Sequence, residues 1–173
     1  MHSRICTIGF TGKTAEEFFY LLQEASVLRV VDIRENRIGQ LAGFAKFPDI
    51  AFFLDRIGGM SYAHEPLLAP SVEIRKAYRE THDWTAYETS FHDLMRERGV
   101  PEAIRAEDFE GTVALLCSEP GPEKCHRRLV ADLLAEFWRL QGHSVEIEHL
   151  QSNKMPRKAV RKRRTRDDRT HSE

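Results

Sequence analysis

Residues 112–141 read TVALLCSEPGPEKCHRRLVADLLAEFWRLQ. Their order decides the fold: a continuous apolar run, a polar turn broken by Pro120, Gly121 and Pro122, then a segment with apolar residues at helical spacing. A short apolar run bounded by turn signals reads as a buried strand, and buried strands that feed helices belong to parallel sheets. The strand ends on Cys117, and a second thiol, Cys125, stands where the helix opens, beside His126, Arg127 and Arg128. Helix N-termini carry partial positive charge and unpaired N–H groups, so this junction favours a thiolate or binds an anion.

The same alternation extends outward. RICTIGF (4–10) is a short apolar strand, and Thr14 with Glu17 three residues later forms a capping box ahead of the helical AEEFFYLLQEA (15–25). LRVVDI (28–33) is a buried strand ending at Asp32; a polar loop with Arg34, Arg37 and Gly43 leads to PDIAFFLDRIG (48–58), a helix with Pro at its opening turn. GMSYAHE (59–65) reads as a third strand, EIRKAYRETH (73–82) and WTAYETSFHDLMRERG (84–99) as helices, and HSVEIEHL (143–150) as a fifth strand. Strands joined through helices need crossover connections, which make parallel neighbours. The expectation is a single α/β domain over residues 1–151, a mainly parallel five-stranded sheet flanked by helices in a Rossmann-like three-layer arrangement. In such sheets ligands bind beyond the carboxyl ends of the strands. Polar residues gather at those ends: Thr11, Gly12 and Lys13 after the first strand, Asp32 and Arg34 at the second, His64 and Glu65 at the third, Cys117 and Glu119 at the fourth.

A chain of 173 residues with 41% hydrophobic and 31% charged residues supports one globular core. The net charge of −1 hides an asymmetry: residues 1–153 hold 17 Lys/Arg against 24 Asp/Glu, whereas 154–173 hold 9 against 3. Residues 152–173 lack apolar periodicity and read as a disordered basic tail, whose Lys and Arg residues from 154 onward could contact nucleic acid through counterion release. No apolar run is long enough to span a membrane, and no signal-peptide pattern opens the chain. Three cysteines are an odd number in such a sequence, which favours reduced thiols and a cytoplasmic location over a disulfide framework.

Cys125 has a helix start, a histidine and the Lys124/Arg127/Arg128 cluster around it, a setting that lowers a thiol pKa from about 8.5 to roughly 3.5–7.5 and makes it a candidate nucleophile. Cys117, across the turn, could pair with it in a reversible disulfide, and either Cys125 or Cys117 could act as nucleophile or redox thiol. Cys117, Cys125, His126 and His64 are also suitable zinc or iron ligands. Against that stands the absence of a CxxC pair, and neighbouring residues on a helix point about 100° apart. GFTGKT imitates a phosphate loop, but its first glycine would fall at Thr7, inside the strand. That argues against nucleotide hydrolysis and leaves Thr11, Gly12 and Lys13 as anion binders. Asp32 and Arg34, two apart, project to one side to pair or to face a ligand. Arg37 adds a donor, and His64, His126 or Glu119 could move protons. Cys6 reads as core, and Trp84, Tyr87 and Phe91, with Trp138 in the last helix, as packing faces.

TIGFTGK, VVDIR, GFAK, YAHEPLLAP, LLCSEPGPEKCHRRLVADLL and VEIEHL, spread over roughly residues 4–150, together resemble the bacterial and archaeal family called domain of unknown function 488. The C-x7-CHR spacing is the most specific element. The resemblance implies an intracellular α/β domain with a polar site near Asp32, Arg34, His64, Cys117, Glu119, Cys125, His126 and Arg127. Many relatives carry Ser-Asn where this chain has Thr11-Gly12. The function expected is an enzyme that docks an anionic or phosphate-bearing small molecule, nucleotide or modified base between Arg34, Arg127 and the helix start. The alternatives are a nucleic-acid or partner-binding module using the tail, and a structural metal-binding protein.

Overall fold

The computed structural model describes residues 2–38 and 42–151. The basic tail, with its expected disorder and nucleic-acid contact, lies outside the described residues. The elements are β1 (His2–Gly9), α1 (Ala15–Glu24), β2 (Arg29–Asp32), α2 (Asp49–Gly58), β3 (Ser61–His64), α3 (Val72–Thr81), α4 (Trp84–Glu97), β4 (Gly111–Cys117), α5 (His126–Leu140) and β5 (Ser144–His149), with short 3-10 turns between some of them. The helix starts follow local chemistry. Thr14 Oγ1 accepts from the Glu17 N–H at 3.1 Å, Ser71 Oγ from Ile74 N–H at 3.3 Å, and Asp83 Oδ1 from Ala86 N–H at 3.0 Å. Gly59, at φ 62°, closes α2 in the left-handed conformation that glycine adopts without strain.

The five strands form one sheet in the order β3-β2-β4-β1-β5, and every pairing is parallel, so "mainly parallel" becomes wholly parallel. β1, α1, β2, α2 and β3 step toward one edge of the sheet, and the connections β3 to β4 and β4 to β5 step back. Right-handed crossovers therefore put α1 and α2 on one face and α3, α4 and α5 on the other. The core divides in that way. Cys6, Ile8, Val30, Ala114 and Leu116 join Phe18, Leu22 and Leu54 in one cluster. Ile5, Val31, Val113 and Leu115 join Phe91, Leu134 and Trp138 in the other. This is a three-layer sandwich whose strands are covered on both faces, as their unbroken apolar runs require.

Register aligns the carboxyl ends of the strands. Gly9 lies beside Cys117, and Asp32 beside both Leu116 and His64. Connections leave β2 toward α2 and β4 toward α5, on opposite faces, which opens a crevice above their carboxyl ends. Among the described residues no helix is long and apolar enough to cross a membrane.

Trp138 is the largest fully buried side chain and packs on Phe109 at 5.1 Å between ring centroids. Trp138→Ala is predicted to cost about 3–5 kcal/mol in denaturant unfolding. Leu140→Ala, two residues on but 82% exposed, should stay within about 0.5 kcal/mol of the parent; similar losses from both would contradict this packing.

Candidate functional site

Cys117 ends β4 with its side chain on the α4/α5 face, the same side as Val113 and Leu115. The chain then turns through Ser118–Lys124 and re-enters at α5. Thr11 N–H donates to Ser118 O at 3.1 Å, and Arg127 Nη1 and Nη2 donate to the carbonyls of Glu119 and Pro120 at 2.6 and 3.4 Å. Gly9 makes room for this turn. A β-carbon there would lie 1.7 Å from Glu119 O and 2.8 Å from Arg127 Nη1. No substitution could be accommodated without moving the loop.

Cys125 is the N-cap of α5 and is extended, at φ −142° and ψ 136°, with no side-chain capping bond. The helical 100° argument against joint ligation by Cys125 and His126 therefore fails, because only His126 is helical. His126 Nδ1 lies 3.5 Å from Cys117 Sγ, and its Nε2 lies 3.2 Å from Ile33 O. Nε2–H donating to that carbonyl turns Nδ1 toward the sulfurs. The ligand atoms of Cys117, Cys125 and His126 all lie within 4.8 Å of one another, and all three residues are buried. Among the described residues, these three could hold a metal ion.

Of the two sulfurs that the sequence offers as nucleophile, the surroundings favour the charged form at Cys117. A hydrogen bond from the Cys125 thiol lowers the Cys117 pKa well below the usual thiol range, and the nearby His126 charge adds to this against the opposing effect of burial. Burial, then the hydrogen bond and charge of Cys117, push Cys125 well up. Burial opposes a charge on His126, but the Cys117 sulfur outweighs it and raises the imidazole. The helix-start cations expected to act on Cys125 are only partly there. Arg127 Nη1 is 3.5 Å from Cys125 Sγ, whereas Arg128 is turned away to Glu88 and Asp132. Cys6, sealed in the opposite core, is pushed up to about 12 by burial.

Beside Cys117 lies a cleft of about 540 Å³, within the size range of small-molecule sites. Of the residues singled out from sequence, the structure brings Arg34, Cys117, Glu119, Cys125 and His126 to its wall. Loss of hydration, then the Cys117 charge, raises the Glu119 carboxyl. Arg34 grips Asp32 through Nε and Nη2 at 2.8 and 2.6 Å and also reaches Ala45 O at 2.9 Å; its buried Nη1 has no hydrogen-bond partner.

The remaining residues do not reach the cleft. Asp32 is fully buried and accepts from Arg34 and from Tyr62 Oη at 2.8 Å, so it anchors Arg34 and does not face a ligand. Arg37 lies over the Phe47 ring at 4.4 Å and donates to Tyr62 Oη at 3.5 Å. His64 Nε2 lies 2.8 Å from Arg34 O. Arg127 is buried beneath the loop, and its Nη1 and Nη2 point to Glu119 O, Pro120 O and Cys125 Sγ, so it supports the site and does not dock an anion. Thr11, Gly12 and Lys13 stand behind the loop; Gly12, at φ 79°, makes the turn, and burial and then Arg127 lower the Lys13 pKa.

Sequence reading missed much of the cleft's outer wall. Arg75, Tyr78 and Arg79 from α3 and Trp84 and Tyr87 from α4 line it. The spacing of Trp84, Tyr87 and Phe91 signalled a helix face, and Phe91 and Tyr87 do lie in the core with Trp84 packed against it, but spacing alone does not say that Trp84 and Tyr87 also border a cavity.

The family described as Domain of unknown function DUF488 matches the chain over residues 14–134, well over half its length. No curated protein and no solved structure matches.

Gly9→Ala is predicted to destabilise the fold by about 1–3 kcal/mol through overpacking against the Glu119 carbonyl. An unchanged denaturation midpoint would show that this loop is not held against β1.

Proposed function

The chain belongs to the family described as domain of unknown function DUF488, and from its site we propose an enzyme that takes a planar, anionic small molecule, such as a nucleotide or modified base, into the cleft beside Cys117. One observation carries this reading: a sulfur in contact with an imidazole, Cys117 with His126 at 3.5 Å, opens onto a cleft with an aromatic wall and a cationic rim. Tyr78, Trp84 and Tyr87 supply weakly hydrated aromatic surface that suits a ring. Arg34 is paired with Asp32 and Arg75 with Glu35, which leaves Arg79 and Lys124 beside Glu119, whose carboxyl is raised, so a bound anion would meet two cations there.

In the metal-free protein Cys117 is the reacting sulfur. Its thiolate adds to an electron-poor centre of the bound molecule, a sulfur bond forms as a π bond opens, and Glu119 gives its proton to the atom that gains the electron pair. His126 supports the sulfur's charge before the addition. The three cysteines of the chain are free, which suits a cytoplasmic, reducing setting.

Two measurements test this. In chelator-treated protein, iodoacetamide is expected to label Cys117 first, nucleoside monophosphates to slow that labelling, and Cys6, fully buried, to label last. Equal labelling of the three sulfurs, or no protection, would remove the proposal. α3 fully buries none of its residues; Arg79 is exposed, whereas Tyr78 packs on Trp84 and Tyr87, so the unfolding midpoint of each variant is measured beside its affinity. Tyr78→Ala should weaken nucleoside monophosphate binding by about 1–3 kcal/mol, and Arg79→Gln should weaken it more at low salt than at high salt. Calorimetry reads both, and unchanged affinity in both variants would place the ligand elsewhere.

A further inference from the structure

We infer that Cys117 Sγ, Cys125 Sγ and His126 Nδ1 form a binding site for one zinc ion, with the fourth coordination position open to the cleft. The inference deepens the reading of the cleft as a substrate site and rests on it. When metal is bound, Cys117 acts as a ligand in place of attacking.

Four observations carry it. First, the three ligand atoms converge within 4.8 Å without help from any other group. Second, one separation is that of a tetrahedral site: zinc–sulfur and zinc–nitrogen bonds of about 2.3 and 2.0–2.1 Å separate S from N by roughly 3.5 Å, and Cys117 Sγ to His126 Nδ1 is 3.5 Å.

Third, the surroundings supply outer-sphere support. The Ile33 carbonyl takes the Nε2 proton of His126, which leaves Nδ1 as the ligating nitrogen, and Arg127 donates to Cys125 Sγ. Fourth, burial favours a neutral assembly. All three residues are buried, and two thiolates with a neutral imidazole cancel the charge of a divalent ion, whereas unpaired charges there would be costly. Thiolates and imidazole are the donor types that zinc takes. Three protein ligands with an open fourth position are also the pattern of catalytic zinc sites, as opposed to closed structural ones. The open side faces the cleft, because Cys117, Cys125 and His126 all line it. A water, or an oxygen or nitrogen of the bound molecule, would complete the sphere.

The test uses the full chain, stripped with chelator and titrated with Zn2+ and, in parallel, with Co2+. The expected result is one tight equivalent per chain, with the thiolate-to-metal charge-transfer and intense visible bands of a four-coordinate cobalt site. Cys125→Ser keeps a residue acceptable at the helix N-cap and should lower zinc affinity more than about 100-fold, since outer-sphere changes alone cost about 10–100-fold. His126→Gln should do the same, and Cys6→Ser should bind as the parent does. The cobalt spectrum of the parent needs no variant to fold. Absence of a stoichiometric site, or parental affinity in Cys125→Ser, would overturn the inference. Nucleotide binding by the stripped protein reads the cleft separately, so failed metal binding with nucleotide binding intact removes the zinc site alone.

Discussion

A guanidinium buried beneath the loop between β4 and α5 holds the reactive groups in place. Arg127 is 1% exposed, and its hydrogen bonds go to backbone carbonyls and a sulfur. A buried charge without compensation would be expensive. Backbone carbonyls compensate it, those of Glu119 and Pro120, together with the sulfur of Cys125. The loop is thereby tied down at the point where it leaves the strand and at the point where it re-enters the helix. Gly9 on the neighbouring strand is the other half of the constraint, because any side chain there would occupy the space of the Glu119 carbonyl. The second buried arginine plays the same part on β2. Arg34 is held by Asp32 in a two-point grip, and Tyr62 completes the carboxylate's shell. Paired guanidinium and carboxylate satisfy one another with fixed geometry, and Arg34 is thereby set in the wall of the cleft.

The topology explains why these groups face a common space. In a sheet ordered β3-β2-β4-β1-β5, the connections after β2 and β4 diverge to opposite faces, and the gap between them cannot be filled by either. α3 and α4, which carry the chain back from β3 to β4, close the gap from the side with aromatic and basic residues. The result is a floor of sulfur and imidazole, an aromatic wall and a charged rim.

Three cysteines in one chain show how far environment outweighs residue type. Cys6 lies in the α1/α2 core and is pushed up to about 12, first by burial. Cys117 and Cys125 share one hydrogen bond, which with the imidazole beside Cys117 lowers its pKa, while burial and then Cys117 raise that of Cys125. A thiolate next to a raised imidazole is a nearly neutral pair, which burial tolerates better than either ion alone.

The strand–helix alternation was legible because it rests on local signals: apolar runs of strand length, the Thr14 cap, Pro48 at a helix start, and the proline-rich break before Cys125. The junction of Cys117, Cys125 and His126 was legible for the same reason, since a strand end and the next helix start must be neighbours. Partners from distant elements were not. Spacing could not say that Arg127 turns inward to carbonyls, that Asp32 is used up by Arg34 and Tyr62, or that Tyr78 and Trp84 border a cleft, because each depends on what another element places opposite it. The amino-acid sequence by itself determined an α/β sheet with a sulfur-bearing turn at one strand end, because periodicity and turn chemistry are properties of the chain. Tertiary structure alone decided how the two sulfurs differ, since the Cys125 thiol and the His126 charge lower the pKa of Cys117 while burial raises that of Cys125, and the chain only makes these residues adjacent.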